Sequence, residues 1–208
     1  MRQKVKCLLG NRIAMKNGGT KSLLLACKNG HFKMAKMLVQ KATQCKINLN
    51  VKNIMRYYKN DQTPFHFACK NGNFEIAEIL VQKSTGLDIE LDAKDKFGRT
   101  PFYFACDKGH TKTAEMLVQK SSQFNIDLNA KRTQCGWTPF HVACKDGRTK
   151  IVEMLMQKSA RFNIDLNAKS VNGHTGFDLA CQWNKKKVVK LIRDEAKYFN
   201  MDLGPLDK

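Results

Sequence analysis

Apolar positions along this chain follow a compound rhythm that is clearest between residues 138 and 173. Phe140, Ala143 and Cys144 mark one face of a short helix, and Ile151, Val152, Leu155 and Met156 mark a second over Lys150–Lys158. Recurrence every three or four residues is the pattern of an amphipathic helix with one buried side. Phe162-Asn163-Ile164-Asp165-Leu166-Asn167 then alternates apolar and polar, which predicts an extended excursion ending in a turn near Gly173. Thr138 is placed to cap the first helix through its hydroxyl, and Pro139 fits the first helical position, where an N–H is not needed. Gly147 can adopt the left-handed conformation that stops the helix.

The same sentence is written several times. Thr138–Cys144 (TPFHVAC) has counterparts at Thr63–Cys69 (TPFHFAC), Thr100–Cys106 (TPFYFAC) and Thr175–Cys181 (TGFDLAC), with a worn copy at Lys21–Cys27 (KSLLLAC). The closing cysteines are spaced by 42, 37, 38 and 37 residues. A fixed period of this length means stacked supersecondary units that share one core. Helices are predicted near Phe32–Lys41, Pro64–Asn71, Phe74–Ser84, Pro101–Lys108, Thr111–Ser121, Pro139–Asp146, Thr149–Ser159, Gly176–Trp183 and Lys185–Lys197. The expected organisation is an N-terminal cap or remnant helix over 1–12, with Val5, Leu8 and Leu9 as its apolar face. An array over 13–203 follows, divided at about 13–47, 48–87, 88–124, 125–162 and 163–203, and then a tail over 204–208.

A helix, a turn, a helix and a projecting hairpin-like finger, opened by Thr-Pro-Phe-His-x-Ala, resemble the ankyrin repeat. The resemblance covers about residues 12–203 and implies an all-α solenoid. Phenylalanine stands where the family has leucine, and the period is a few residues longer, which is expected to extend the connection after the second helix, as in Gln119–Asn129. Asn53–Asn60 inserts into the second finger, and Asn184 replaces the helix-ending glycine of repeat five. The resemblance also implies that residues flanking the turn glycine, and the pair after Ala-Cys, line a concave binding face. Those positions are Lys16, Asn17, Thr20, Lys28, Asn29, Gln62, Lys70, Asn71, Lys96, Phe97, Arg99, Asp107, Lys108, Trp137, Lys145, Asp146, Val171, Asn172, His174, Gln182 and Trp183. They vary between copies while the framework does not, as expected of residues without packing duty. Phe97, Trp137 and Trp183 are the aromatic candidates for anchoring a partner. Tyr57 and Tyr58, between Arg56 and Lys59, suit base stacking, a peptide grip or a loop folded on itself.

Composition narrows the function. The chain carries 37 Lys and Arg against 18 Asp and Glu, a net charge of +19, and residues 1–60 hold 14 basic residues and no acidic one. That asymmetry predicts an acidic partner near repeats one and two, with sequence-independent nucleic-acid binding as the alternative. Five of the eight cysteines share one repeat position, a repeat thickness apart, so they read as small packed thiols in a reducing, intracellular (cytoplasmic or nuclear) setting. No apolar run is long enough to span a membrane. His66 with Cys69, and His141 with Cys144, have spacing that suits a metal or an activated thiol, but no two neighbouring copies both carry His, and the ankyrin resemblance implies that this histidine bonds to the neighbouring Thr and to backbone, stiffening the junction between repeats. The expectation is a monomeric, non-catalytic module without cofactor or metal.

Overall fold

The computed structural model describes residues 18–52 and 60–203. Lys16, Tyr57 and Tyr58, the 1–12 segment and the 204–208 tail lie outside the described residues. The described chain is helical, without strands. Residues 18–29 belong to α1, followed by α2 (Phe32–Gln40), α3 (Ala42–Cys45), α4 (Pro64–Lys70), α5 (Phe74–Leu87), α6 (Pro101–Lys108), α7 (Thr111–Phe124), α8 (Pro139–Lys145), α9 (Thr149–Phe162), α10 (Gly176–Gln182) and α11 (Lys186–Glu195). The short helices α4, α6, α8 and α10 pack in series, and α2, α5, α7, α9 and α11 form a second row behind them.

Each short helix starts as its sequence dictates. The hydroxyls of Thr63, Thr100, Thr138 and Thr175 accept from the backbone N–H three residues on, at 3.4, 3.2, 3.3 and 3.2 Å. Pro64, Pro101 and Pro139 occupy the first helical turn. Behind them Phe65, Phe102, Phe140 and Phe177 are at most 2 % exposed, forming one apolar stripe through the array. Burying each ring contributes about 1.5–3 kcal/mol.

The turn after each short helix locks one repeat to the next. Gly72 and Gly109 have φ of 69° and 77°; a Cβ on Gly72 would overlap the His110 ring of the following repeat, and one on Gly109 would crowd Arg148 Cδ at 3.0 Å. Those side chains use the space to reach back: His110 Nε2 lies 3.1 Å from the Lys70 carbonyl, and Arg148 Nε donates to the Asp107 carbonyl at 2.9 Å. Glycine is thus required twice over, for its backbone and for its missing side chain. Asn184 takes φ of 51° in repeat five, where asparagine tolerates the left-handed region.

The long helices depart from expectation. α5, α7 and α9 run three residues beyond Ser84, Ser121 and Ser159, so the longer period extends the helix rather than the connection after it. The three serines stay helical by donating their hydroxyls to the carbonyls of Val81, Val118 and Met156 at 2.7, 2.8 and 2.7 Å. Asp88, Asn125 and Asn163 then turn left-handed. Ile126 N–H and Ile164 N–H close back on the Ser121 and Ser159 carbonyls at 3.0 Å each, a Schellman stop. At the C-terminal end the difference reverses, and α11 stops at Glu195 rather than Lys197.

The fingers keep the predicted alternation without becoming strands. Ile126, Leu128, Ile164 and Leu166 are buried, while Asp127 and Asp165 are exposed. Each finger closes on itself, as in Asp95 N–H to the Arg99 carbonyl at 3.0 Å. It also takes one bond from the next: Thr133 N–H donates to the Phe97 carbonyl at 2.9 Å and Val171 N–H to the Cys135 carbonyl at 3.0 Å.

Cys27, Cys69, Cys106 and Cys144 are free, buried thiols between the helix rows. Burial pushes Cys27 up to about 12 and the other three well above the ordinary thiol range, so they lack the thiolate that reacts. Native protein treated with iodoacetamide at pH 8 should therefore be modified at Cys45, Cys135 and Cys181 ahead of these four, which stay protected until denaturant is added. Mass spectrometry showing early labelling of the four would mean that the rows open in the native state.

Candidate functional site

The ends of the short helices and the finger tips form one continuous surface, and the histidines set its spacing. Thr63 N–H donates to His66 Nδ1 at 3.1 Å, so Nε2 carries the proton and donates to the Arg99 carbonyl of the next finger at 3.1 Å. Burial lowers His66 to about 4 and keeps the ring neutral. His141 repeats the arrangement, with Thr138 N–H at 3.3 Å and the His174 carbonyl at 3.0 Å, and burial lowers it too. Each imidazole has both nitrogens engaged, Nδ1 at the cap of its own helix and Nε2 on the next repeat. Among the described residues no group of three His, Cys, Asp or Glu side chains is arranged to hold a metal.

On this surface cations lie over aromatic rings. Lys28 is exposed. Lys70 Nζ sits 5.3 Å from the centre of the Phe104 ring, and the Arg99 guanidinium lies 4.6 Å from the same ring and 4.8 Å from Phe97. Lys96 Nζ adds a further contact to Phe97 at 5.0 Å. Such contacts position the charges while leaving them able to meet an anion.

The charges differ in how well they are answered. Arg99 donates through Nε and Nη2 to Asp95 Oδ2 at 2.9 and 2.7 Å, and the buried Asp95 carboxylate also takes the N–H groups of Phe97 and Arg99. Lys108 pairs with Asp107 at 2.9 Å, and Lys145 with Asp146 at 3.0 Å. Lys70 is half-buried and has no ion pair among the described residues. Burial, reinforced by Arg99 and Lys108 and opposed by Asp107 and Asp95, lowers its affinity for its own proton.

Towards the C-terminal end the surface becomes aromatic. Lys145 Nζ stands 5.6 Å from the Trp137 ring and 4.6 Å from the Trp183 ring. Trp183 is 50 % exposed and Val171 70 % exposed, while Trp137, Phe97 and His174 are half-buried. The structure therefore brings Lys70, Phe97, Arg99 and Lys108 into one cluster and Trp137, Lys145 and Trp183 into another.

One position expected on this face is not there. Gln62 is fully buried, with Nε2 3.4 Å from Asp95 Oδ2, because it fills the space beneath the next finger. Variation between copies at that position therefore reflects packing. Phe104 is the residue that sequence reasoning passed over: it is 2 % exposed, yet it carries two cations. The available signal was phenylalanine at a position where repeats four and five have Val142 and Leu179.

A helical solenoid of this kind, opened repeatedly by Thr-capped short helices, defines the class of protein. The family model of ankyrin repeats matches the chain in three copies, over residues 44–132 and 122–202. The chain belongs to the ankyrin-repeat family, whose members generally mediate protein–protein interaction. No curated protein matches it. Among the described residues no helix is long and apolar enough to cross a membrane.

Proposed function

We propose that this chain is a monomeric, non-catalytic interaction module that holds an acidic segment of a partner protein across its short-helix and finger face. The reading is carried by Lys70, a half-buried ammonium that sits beside Arg99 and Lys108 with no carboxylate of the described residues in salt-bridge reach, Asp107 and Asp95 acting on it only from farther away. A carboxylate from a partner supplies the missing counter-charge, and Lys28 extends the same attraction into repeat one. Trp137 and Trp183 offer the partner an apolar anchor at the other end, and a surface already held by its repeats loses little entropy on binding.

Both tryptophans of the chain lie on this face, so their fluorescence reports occupancy directly. Titration with polyglutamate should give saturable binding, and Lys28→Glu with Lys70→Glu should weaken it by about tenfold or more. Duplex DNA over the same salt range separates the readings. Equal or tighter binding to DNA with a steep salt slope overturns the protein-partner reading in favour of counterion release. An affinity for polyglutamate unchanged by the double substitution removes Lys70 from the site.

A further inference from the structure

Consecutive fingers are stitched together by one residue repeated in register. Asn50 donates through Nδ2 to the Asp88 carbonyl at 2.7 Å and accepts at Oδ1 from Glu90 N–H at 2.9 Å. Asn129 makes the same pair of bonds to the Asn163 carbonyl and Asp165 N–H at 2.8 and 2.9 Å. Asn167 makes them to the Asn200 carbonyl and Asp202 N–H at 2.8 and 2.9 Å. Each amide thus answers the carbonyl of a left-handed residue and an N–H two residues beyond it, and two of those residues, Asp88 and Asn163, close α5 and α9.

At the junction between repeats three and four this residue is Asp92. Its carboxylate takes the Asp127 N–H, as the asparagines do. Its other side has no amide donor to offer, and register places the Asn125 carbonyl there. Asp92 Oδ1 is buried and has no hydrogen-bond partner among the described residues. An ionised carboxylate facing a carbonyl puts two acceptors together with no proton between them.

We propose that Asp92 is a proton-operated clasp between repeats three and four. As a carboxylic acid it donates its O–H to the Asn125 carbonyl and completes the stitch. As a carboxylate it leaves that junction half made. Burial favours the protonated form and pushes the carboxyl up to about 6. The charged groups acting on it are Asp127 of the following finger, which adds to the rise, and Lys94 of its own finger, which opposes it. Asn50 of the preceding finger brings no charge. Because the folded value lies above that of the unfolded chain, the clasp is fully made below about pH 4 and is lost as pH rises through about 6. The clasp is independent of what the face binds.

The test is urea denaturation of the full chain and of Asp92→Asn and Asp92→Ala at pH 7.5 and pH 5. Asparagine supplies the donor at every pH, so D92N should lower the unfolding equilibrium constant by on the order of tenfold at pH 7.5 and by less than about twofold at pH 5. The histidines are common to all three proteins and cancel from the comparison. D92A loses both bonds and should not share the gain. An equal gain at both pH values, no gain at pH 7.5, or a D92A as stable as D92N overturns the clasp. Should D92N fail to fold, the Asp92 carboxyl ¹³C titration in the unsubstituted chain decides. A midpoint near 6 supports the proposal, and one near 4 overturns it.

Discussion

Phe102→Ala is expected to lower the stability of the array by about 3–5 kcal/mol, the range for removing a fully buried aromatic ring. Phe102 is 0 % exposed, and its helix α6 packs between α4 and α8. The stability of a repeat array is a sum of terms within repeats and between neighbours, so a cavity in the middle unit weakens two interfaces at once. The damage should show as lost cooperativity as well as lost stability. Both tryptophans lie in repeats four and five, so fluorescence follows that end while circular dichroism follows all the helices. In F102A the two urea midpoints should separate, whereas in the unsubstituted chain they coincide. Phe97→Ala, at a half-buried finger tip, should stay within about 0.5–1 kcal/mol with coincident midpoints. Coincident midpoints in F102A, or a loss below about 1 kcal/mol, would refute the picture of units held up by their neighbours.

His66→Ala is expected to cost about 2–4 kcal/mol at pH 7.5, because it strips partners from Thr63 N–H and the Arg99 carbonyl in the junction between repeats two and three. It should also change the response to acid. His66 titrates at about 4 in the fold against 6.5 in the unfolded chain, so its contribution is complete above 6.5 and drains away as pH falls towards 4. Holding this ring neutral is linked to about 3 kcal/mol over that interval. His141 acts in the same direction. Asp92 acts in the opposite one, so the acid limb is best measured in the D92N background. There, H66A should lose visibly less stability between pH 6.5 and pH 4.5 than the protein that keeps His66. Parallel curves would mean that the imidazole is not the group being protonated.

Much of this architecture was written in the sequence because each unit is built from local rules. Thr followed by Pro opens a helix wherever it occurs, and α6 spans Pro101–Lys108 as the pattern predicts. The role of His66 and His141 as joints came from the resemblance to ankyrin repeats rather than from the residues alone, and both rings do bond to the Thr three residues before and to the next finger. The ends of the long helices were not. Phe124-Asn125-Ile126-Asp127 reads as the start of an extended run, yet the stop is made by Ile126 N–H reaching Ser121, a bond that alternation of side chains does not encode.

The candidate face divides in the same way. Its positions are those that the resemblance to ankyrin repeats implies, and among them Trp183 and Lys28 are exposed. Gln62 was expected beside them and is sealed beneath Asp95. The change from Asn to Asp at position 92 is visible to anyone aligning the copies, but its meaning depends on a carbonyl 33 residues away at Asn125. By itself the sequence determined the unit: its two helices, its caps, its period and its uneven charge. Tertiary structure alone decided which variable side chains are free, which charges go unanswered and where a stitch is left half made. Helix formation is settled within a few residues of chain, whereas burial and pairing at each position are settled by the neighbouring repeat stacked upon it.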